Sequence, residues 1–237
     1  MKDLLERVLK QLPAYLPDLA SLVSEPKTAI LRWVEEEKGD LTRPLIFVAM
    51  SVAIGFLVQL PQIGKEADFN ILVAGMAVFK VLALTLFSAI IHLLFRVGGG
   101  RASFAATFSA YLYIVSPLYL VLVILKTAKL GVLHAYDPLV GAAARLNPNY
   151  LDAGRLQTFA TAAPGLSLAY YLLDLVVPIV FFGWFIACWG ALRQLHAMAR
   201  WRSALVGFAV FLAGLFFFYS LNFVLFGMFG TDMPPLQ

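Results

Sequence analysis

The chain has 237 residues, of which 61% are hydrophobic and 14% charged, with a formal net charge of +4 and a mean hydropathy of +0.84. A soluble domain carries about 25% charged residues because its surface must be wetted, so this composition excludes a water-soluble globule and points to an integral membrane protein. One cysteine, Cys188, and three scattered histidines, His92, His134 and His196, offer neither a disulfide framework nor a metal-ligand spacing, so no metal and no cofactor is expected.

Residues 1–43 form a charged tail ahead of the apolar segments. Leu4, Leu5, Val8, Leu9 and Leu12 fall on one helical face, and Lys2, Asp3, Glu6, Arg7 and Lys10 on the other. A second stripe, Ala29, Ile30, Trp33 and Val34, starts after Ser24 and Pro26 and stops at Gly39. Helices of this kind lie in the membrane interface, so the tail is expected to be an amphipathic interfacial segment. It serves either as a simple anchor or as a docking surface for a protein partner. No cleavable leader pattern is seen, and the first span is expected to act as the insertion signal.

A helix needs about 20 apolar residues to cross the hydrocarbon core. Five segments qualify, at 44–63, 69–95, 103–125, 164–192 and 203–229, within one membrane domain over 44–229 that leaves a short tail at 230–237. Lipid offers no partner to open sheet edges, so the expected fold is all-α, a polytopic bundle of five transmembrane helices. Lys and Arg number twelve on the side of the N-terminal tail and the 96–103 and 193–202 turns, against five on the other side. Basic loops stay cytoplasmic, which predicts the N-terminus inside and the C-terminus outside. The long 126–163 loop, punctuated by Asp137-Pro138 and Asn147-Pro148, is expected to hold short helices at 138–146 and 151–162.

Between the second and third spans stands Arg96-Val97-Gly98-Gly99-Gly100-Arg101-Ala102-Ser103-Phe104. A P-loop needs G-x-x-x-x-G-K-[ST] after a strand, and a dinucleotide fingerprint needs a third glycine where Ser103 stands. Neither fits. A reversal of the chain does fit: glycine permits positive φ, Ser103 can cap the next helix, and Arg96 and Arg101 lie at headgroup depth. Membrane lipids with anionic headgroups are therefore expected partners at this face.

The run IIHLLFRVGGGRASFAATFSAYLYIVSPLYL, residues 91–120, resembles the central signature of Yip domain proteins, in which a span ends in a Gly-Gly turn, Phe follows, and the next span carries a Tyr/Ala-rich stretch and a Ser-Pro pair. Gly99, Gly100, Phe104, Tyr111, Ser116 and Pro117 are the matching positions, and the stretch LVSEPKTAILRWVEEEKGDLTRPLIFVAMSVAIG is similar to the family's entry into its first span. The resemblance implies a five-span, N-in protein without catalytic chemistry. Eukaryotic relatives are linked to vesicle traffic, GTPase binding and membrane shaping. Their acidic Asp-Leu-Tyr-Gly-Pro-type segment is not found here, a departure that speaks against GTPase binding, and the short tail and compact loops point to a prokaryotic member in a bacterial inner membrane.

Polar groups inside the spans are few. Lys80 and Asp174 each sit ~15 Å along helices that run in the same direction, and a charge at mid-membrane costs about 2.5–3.5 kcal/mol. A Lys80–Asp174 ion pair is expected, either as a static staple or as the lining of an ion or substrate path. Ser51 with Gly55, Ala106 with Ala110, and Gly183, Ala187 and Ala191 recur every four positions, a spacing that lets helices of one chain, or of two copies, approach closely. Phe216, Phe217 and Phe218, with Phe223, Phe226 and Phe229, read as lipid-facing bulk. No nucleophile–base–orienter set is seen, so the expected function is that of a non-enzymatic membrane organiser or adaptor, with a small transporter or channel component as the alternative. The basic balance follows from the loops and not from nucleic-acid binding.

Overall fold

The structure, a computed structural model, describes residues 2–59, 69–146 and 151–229, with side chains over 13–59, 82–144, 151–217 and at 220. In chain order the helices are α1 (Lys2–Ser24), α2 (Pro26–Glu37), α3 (Thr42–Gln59), α4 (Phe69–Val97), α5 (Phe104–Tyr136), α6 (Pro138–Leu146), α7 (Ala153–Ala162), α8 (Pro164–Leu195) and α9 (Arg200–Phe229). Among the described residues there is no strand. The all-α bundle is thus established. Four stretches, Thr42–Gln59, Phe104–Tyr136, Pro164–Leu195 and Arg200–Phe217, are long and apolar enough to cross a membrane. Leu82–Val97 of α4 is a shorter apolar stretch of a 29-residue helix.

The chain divides into two compact units. In the first (Met1–Ile30, Leu41–Lys65, Leu112–Cys188), α1 packs on α3. The Tyr15 ring lies 4.8 Å from Phe47, which meets Tyr113 at 5.5 Å. The Tyr15 hydroxyl shares a 2.8 Å hydrogen bond with Ser51 Oγ, and Arg43 donates to Asp18 at 3.1 Å. A Cβ on Gly55 would come within 2.7 Å of Tyr119, so glycine is what lets α5 close on α3 here.

Helix α5 pairs with α8 beside the Ser-Pro step. Pro117 has no N–H for the carbonyl of Tyr113, and its ring disturbs the hydrogen-bond ladder around it. Ser116 Oγ donates back to Leu112 O at 2.6 Å, and Trp184 Nε1–H donates across from α8 to Ile114 O at 2.7 Å. The indole bond falls one residue beyond the carbonyl that Pro117 deprives, so it ties α8 to α5 beside the proline step. Of the expected 126–163 loop, the first residues continue α5 to Tyr136, α6 takes the expected 138–146, and α7 begins at Ala153 where 151 was expected. Asp137 and Asp152 cap them, accepting from Leu139 N–H and Arg155 N–H, each at 2.8 Å. Phe159 of α7 is buried against Tyr136 at 4.9 Å and Tyr170 at 6.0 Å.

In the second unit (Leu31–Asp40, Glu66–Tyr111, Trp189–Gln237), α4 packs on α9. Phe87 stacks on Phe217 at 5.3 Å and meets Tyr111 at 5.9 Å. Phe216 is exposed, so the two neighbouring phenylalanines divide between lipid and protein. A Cβ on Gly207 would approach Trp189 within 2.6 Å, a second point where a missing side chain sets helix separation.

Of the stripe, Ala29, Ile30 and Trp33 are covered by protein, at 2%, 0% and 1% exposed, while Val34 at 7% borders an open cavity. An amphipathic pattern shows that one face must be covered; here the fold supplies the cover. Glu37 adds a polar tie by accepting from Ser109 Oγ of α5 at 2.7 Å. The α1 stripe from Leu4 to Leu12 falls outside the described side chains. Ser24, expected to cap α2, instead donates to Ser21 O of α1 at 3.2 Å.

Candidate functional site: a basic face built by two hairpin turns

The glycine triplet ends α4 by a defined hydrogen-bond pattern. Gly99 N–H bonds Arg96 O at 3.0 Å and Gly100 N–H bonds Phe95 O at 2.7 Å, with Gly99 at φ +93°. This is the Schellman arrangement, which needs a left-handed residue at the reversal. Ser103 then caps α5, accepting from Ala106 N–H at 3.2 Å. Arg96 reaches over the turn toward Gly100 O at 3.4 Å.

The second turn, between α8 and α9, repeats the device without a glycine. Ala197 N–H bonds Gln194 O at 2.9 Å and Met198 N–H bonds Arg193 O at 3.0 Å, with Ala197 at φ +51°. The two turns are joined directly. Arg101 N–H donates to His196 O at 3.2 Å, and the His196 ring lies so close to the first turn that a Cβ on Gly100 would sit 2.5 Å from Nδ1. Gly100 is therefore glycine because an imidazole from the other hairpin occupies its side-chain position.

Beneath the turns, Thr107 Oγ1 donates to Ser103 O at 2.9 Å and lies 3.0 Å from His92 Nδ1 and 3.1 Å from His196 Nε2. With its one proton committed to Ser103, the hydroxyl accepts N–H from both rings, which assigns His92 as the Nδ1–H tautomer and His196 as the Nε2–H tautomer. His196 Nδ1 then carries a lone pair with no partner among the described residues. His196 is fully buried and stacked on Phe95 at 4.3 Å. Burial first, then the His92 and Arg96 side chains, pushes its pKa down to about 4, so the ring is neutral at pH 7.

Around this clamp the surface is basic. Arg96, Arg101, Arg200 and Arg202 are exposed and Arg193 half-buried, and Arg202 lies 5.2 Å over the Trp201 ring and close to Gly99. Val97, Trp201 and Leu205 are exposed beside them. Guanidinium groups next to an exposed Trp and aliphatic side chains match the layering of a membrane interface, phosphates above and acyl chains below. Phe104, the remaining member of the expected turn, is partly exposed with its ring 5.6 Å from His92.

The small residues divide. Ser51, Gly55, Ala110 and Ala191 are buried and Ala106 half-buried, whereas Gly183 and Ala187 are exposed, with open space where a Gly183 side chain would stand. Of the α8 triplet, only Ala191 packs within the fold. Asp174 is answered from α5, where Lys129 pairs with it and lies 4.4 Å over the Tyr170 ring. The Lys80 side chain is outside the described residues. Pro164 is a poor origin for depth, because 32 residues make α8 ~48 Å long, well beyond a ~30 Å core. Asp174 and Lys129 each fall toward the helix end remote from the hairpin turns, where charge is cheaper than at mid-membrane.

Thr107, His196 and Ala197 were not singled out by their sequence surroundings. No periodicity signals a hydrogen bond between residues 89 positions apart, and Ala197 lacks the glycine that marks a left-handed cap.

With this geometry in hand, a family model described as the Yip1 domain matches residues 20–221. The chain belongs to the Yip1 domain family. Both hairpin turns, the Thr107 clamp and the Ser116-Pro117 step of this Yip1 domain chain lie inside the match, and with the apolar helices they make it a multi-pass integral membrane protein of the Yip type. No curated protein and no solved structure gives a significant match to the chain.

Proposed function

We propose that this Yip1 domain protein is a non-enzymatic membrane organiser whose two joined hairpin turns hold anionic lipid headgroups at the cytoplasmic face of a bacterial inner membrane, N-terminus inside and C-terminus outside. The observation behind the reading is the backbone bond from Arg101 to His196, which makes one platform of Arg96, Arg101, Arg193, Arg200 and Arg202. Side-chain cations at such a surface contribute ~1 kcal/mol each toward anionic lipid. The exposed Trp201 keeps the platform at interface depth. A protein partner engaging the tail would meet its polar face, since Ala29, Ile30 and Trp33 are covered.

Trp201 also provides the assay. Full-length protein is reconstituted with brominated phosphatidylglycerol or brominated phosphatidylcholine at equal mole fraction, and tryptophan quenching is read with and without Trp201→Phe. The Trp201 component should be quenched more strongly by the brominated anionic lipid, and Arg96→Gln/Arg101→Gln/Arg202→Gln should abolish the difference. Equal quenching by both lipids in the unsubstituted protein refutes the proposal. A membrane-impermeant maleimide on Cys188→Ser protein with single cysteines at Arg101 and Gln237 tests the orientation; labelling of both from one side rejects it.

A further inference from the structure

Where α2 ends, α5 begins and α8 ends, the second unit carries a shallow, open cavity of about 540 Å³. Its walls carry Glu35, Lys38, Ser103 and Gln194 together with Val34 and Leu195. We propose that this cavity binds one zwitterionic phospholipid headgroup of the phosphoethanolamine type, with the phosphate at Lys38 and the ammonium at Glu35.

The argument rests on composition, charge and position. The cavity is lined by one cation and one anion, and neither Lys38 nor Glu35 has an ion-pair or hydrogen-bond partner among the described residues. A dianionic ligand such as a nucleotide phosphate would meet the Glu35 carboxylate with only one cation to offset it. A ligand that carries its own separated charges satisfies both side chains. Ser103 uses its oxygen to cap α5 and keeps its O–H for donation, and the exposed Gln194 amide brings further donors. The apolar wall of Val34 and Leu195 suits a glycerol backbone and the first acyl methylenes better than a free ion. Finally, α5 and α8 are helices fit to cross a membrane, so the place where one starts and the other stops lies at headgroup depth. The volume falls in the usual ~300–1,000 Å³ range of small-ligand sites.

The test is native mass spectrometry of the full chain in detergent, with phosphatidylethanolamine, phosphatidylglycerol, phosphatidylcholine and soluble O-phosphoethanolamine added at equal concentration. Phosphatidylethanolamine occupancy should exceed that of phosphatidylglycerol at least threefold. Glu35→Gln should erase this preference, and Lys38→Gln should lower occupancy by every phospholipid. Both substituted side chains are exposed and unpaired, so melting temperatures should stay within a few degrees of the parent, which separates lost binding from lost folding. Equal occupancy by phosphatidylethanolamine and phosphatidylglycerol, or no effect of Glu35→Gln, overturns the proposal. Displacement of the lipid by equimolar O-phosphoethanolamine overturns the lipid assignment, since the apolar wall would then contribute nothing. Bromolipid quenching reports phosphatidylglycerol at Trp201 and this experiment reports phosphatidylethanolamine at Glu35, so either reading can fail alone.

Discussion

Replacing Thr107 by valine keeps the shape of the side chain and deletes one oxygen that serves two imidazoles. His196 is fully buried, so its Nε2–H has nowhere else to go; an orphaned buried donor costs about 1–3 kcal/mol. His92 is only half-buried and can turn to a headgroup or water, so its loss is closer to the ~0.6 kcal/mol typical of hydrogen bonds within membrane proteins. Ser103 O keeps its bond from Thr107 N–H at 3.1 Å. The expected destabilisation is about 2–3 kcal/mol, measured as unfolding free energy in an SDS titration followed by tryptophan fluorescence. Removing both partners should be cheaper than the separate effects imply, because Phe at 196 leaves no donor to orphan and retains the stack on Phe95. The Thr107→Val/His196→Phe cycle should therefore show a coupling above about 1 kcal/mol. Additive single effects, or a Thr107→Val loss below about 0.5 kcal/mol, would refute the clamp.

Acidification should weaken the fold through the same ring. The folded-state pKa of about 4 lies below the ordinary 6.5, so the unfolded chain takes up the proton first. Stability from this source is full above pH 6.5, falls by at most ~1.4 kcal/mol per pH unit down to about pH 4, and then levels off. Melting curves from pH 7.5 to 4.5 should show the slope in the parent and a shallower one in His196→Phe; equal slopes reject the assignment. Ala197→Gly should stabilise by about 1 kcal/mol by relieving the left-handed conformation at φ +51°, read as a raised SDS midpoint. Gly100→Ala should cost about 1–3 kcal/mol in the same titration, since the new Cβ lies 2.5 Å from His196 Nδ1 and 2.8 Å from Phe95 O. Trp184→Phe should cost about 1 kcal/mol by removing the indole bond to Ile114 O that ties α8 to α5, visible as a lowered melting temperature.

What could be read from residues alone follows a physical division. Apolar length and the closure of backbone hydrogen bonds in lipid are local properties, so the helices and the Gly98–Gly100 reversal were legible, as was the break at Asp137-Pro138. The partner of a polar side chain is a non-local property. Counting from Pro164 matched Asp174 with Lys80, whose side chain lies outside the described residues, and gave no sign of Lys129, which the described structure sets beside Asp174. Helix α8 is longer than the bilayer, so its first turns do not mark the membrane edge. The Trp33 stripe shows the same limit, since hydrophobic periodicity cannot say whether lipid or protein lies opposite. The Thr107 clamp gave no signal because threonine in a helix and a histidine after one are each unremarkable.

The bond between Thr107 and His196 also has a consequence in time. The first hairpin leaves the ribosome 89 residues before the ring that completes it, roughly 4–18 s at ordinary rates of synthesis. During that interval the first hairpin sits in the bilayer with a hydroxyl and an imidazole sharing a vacant seat. Whatever reaches that seat early, a water molecule or a stray donor from another nascent chain, has to leave before the last two helices can settle.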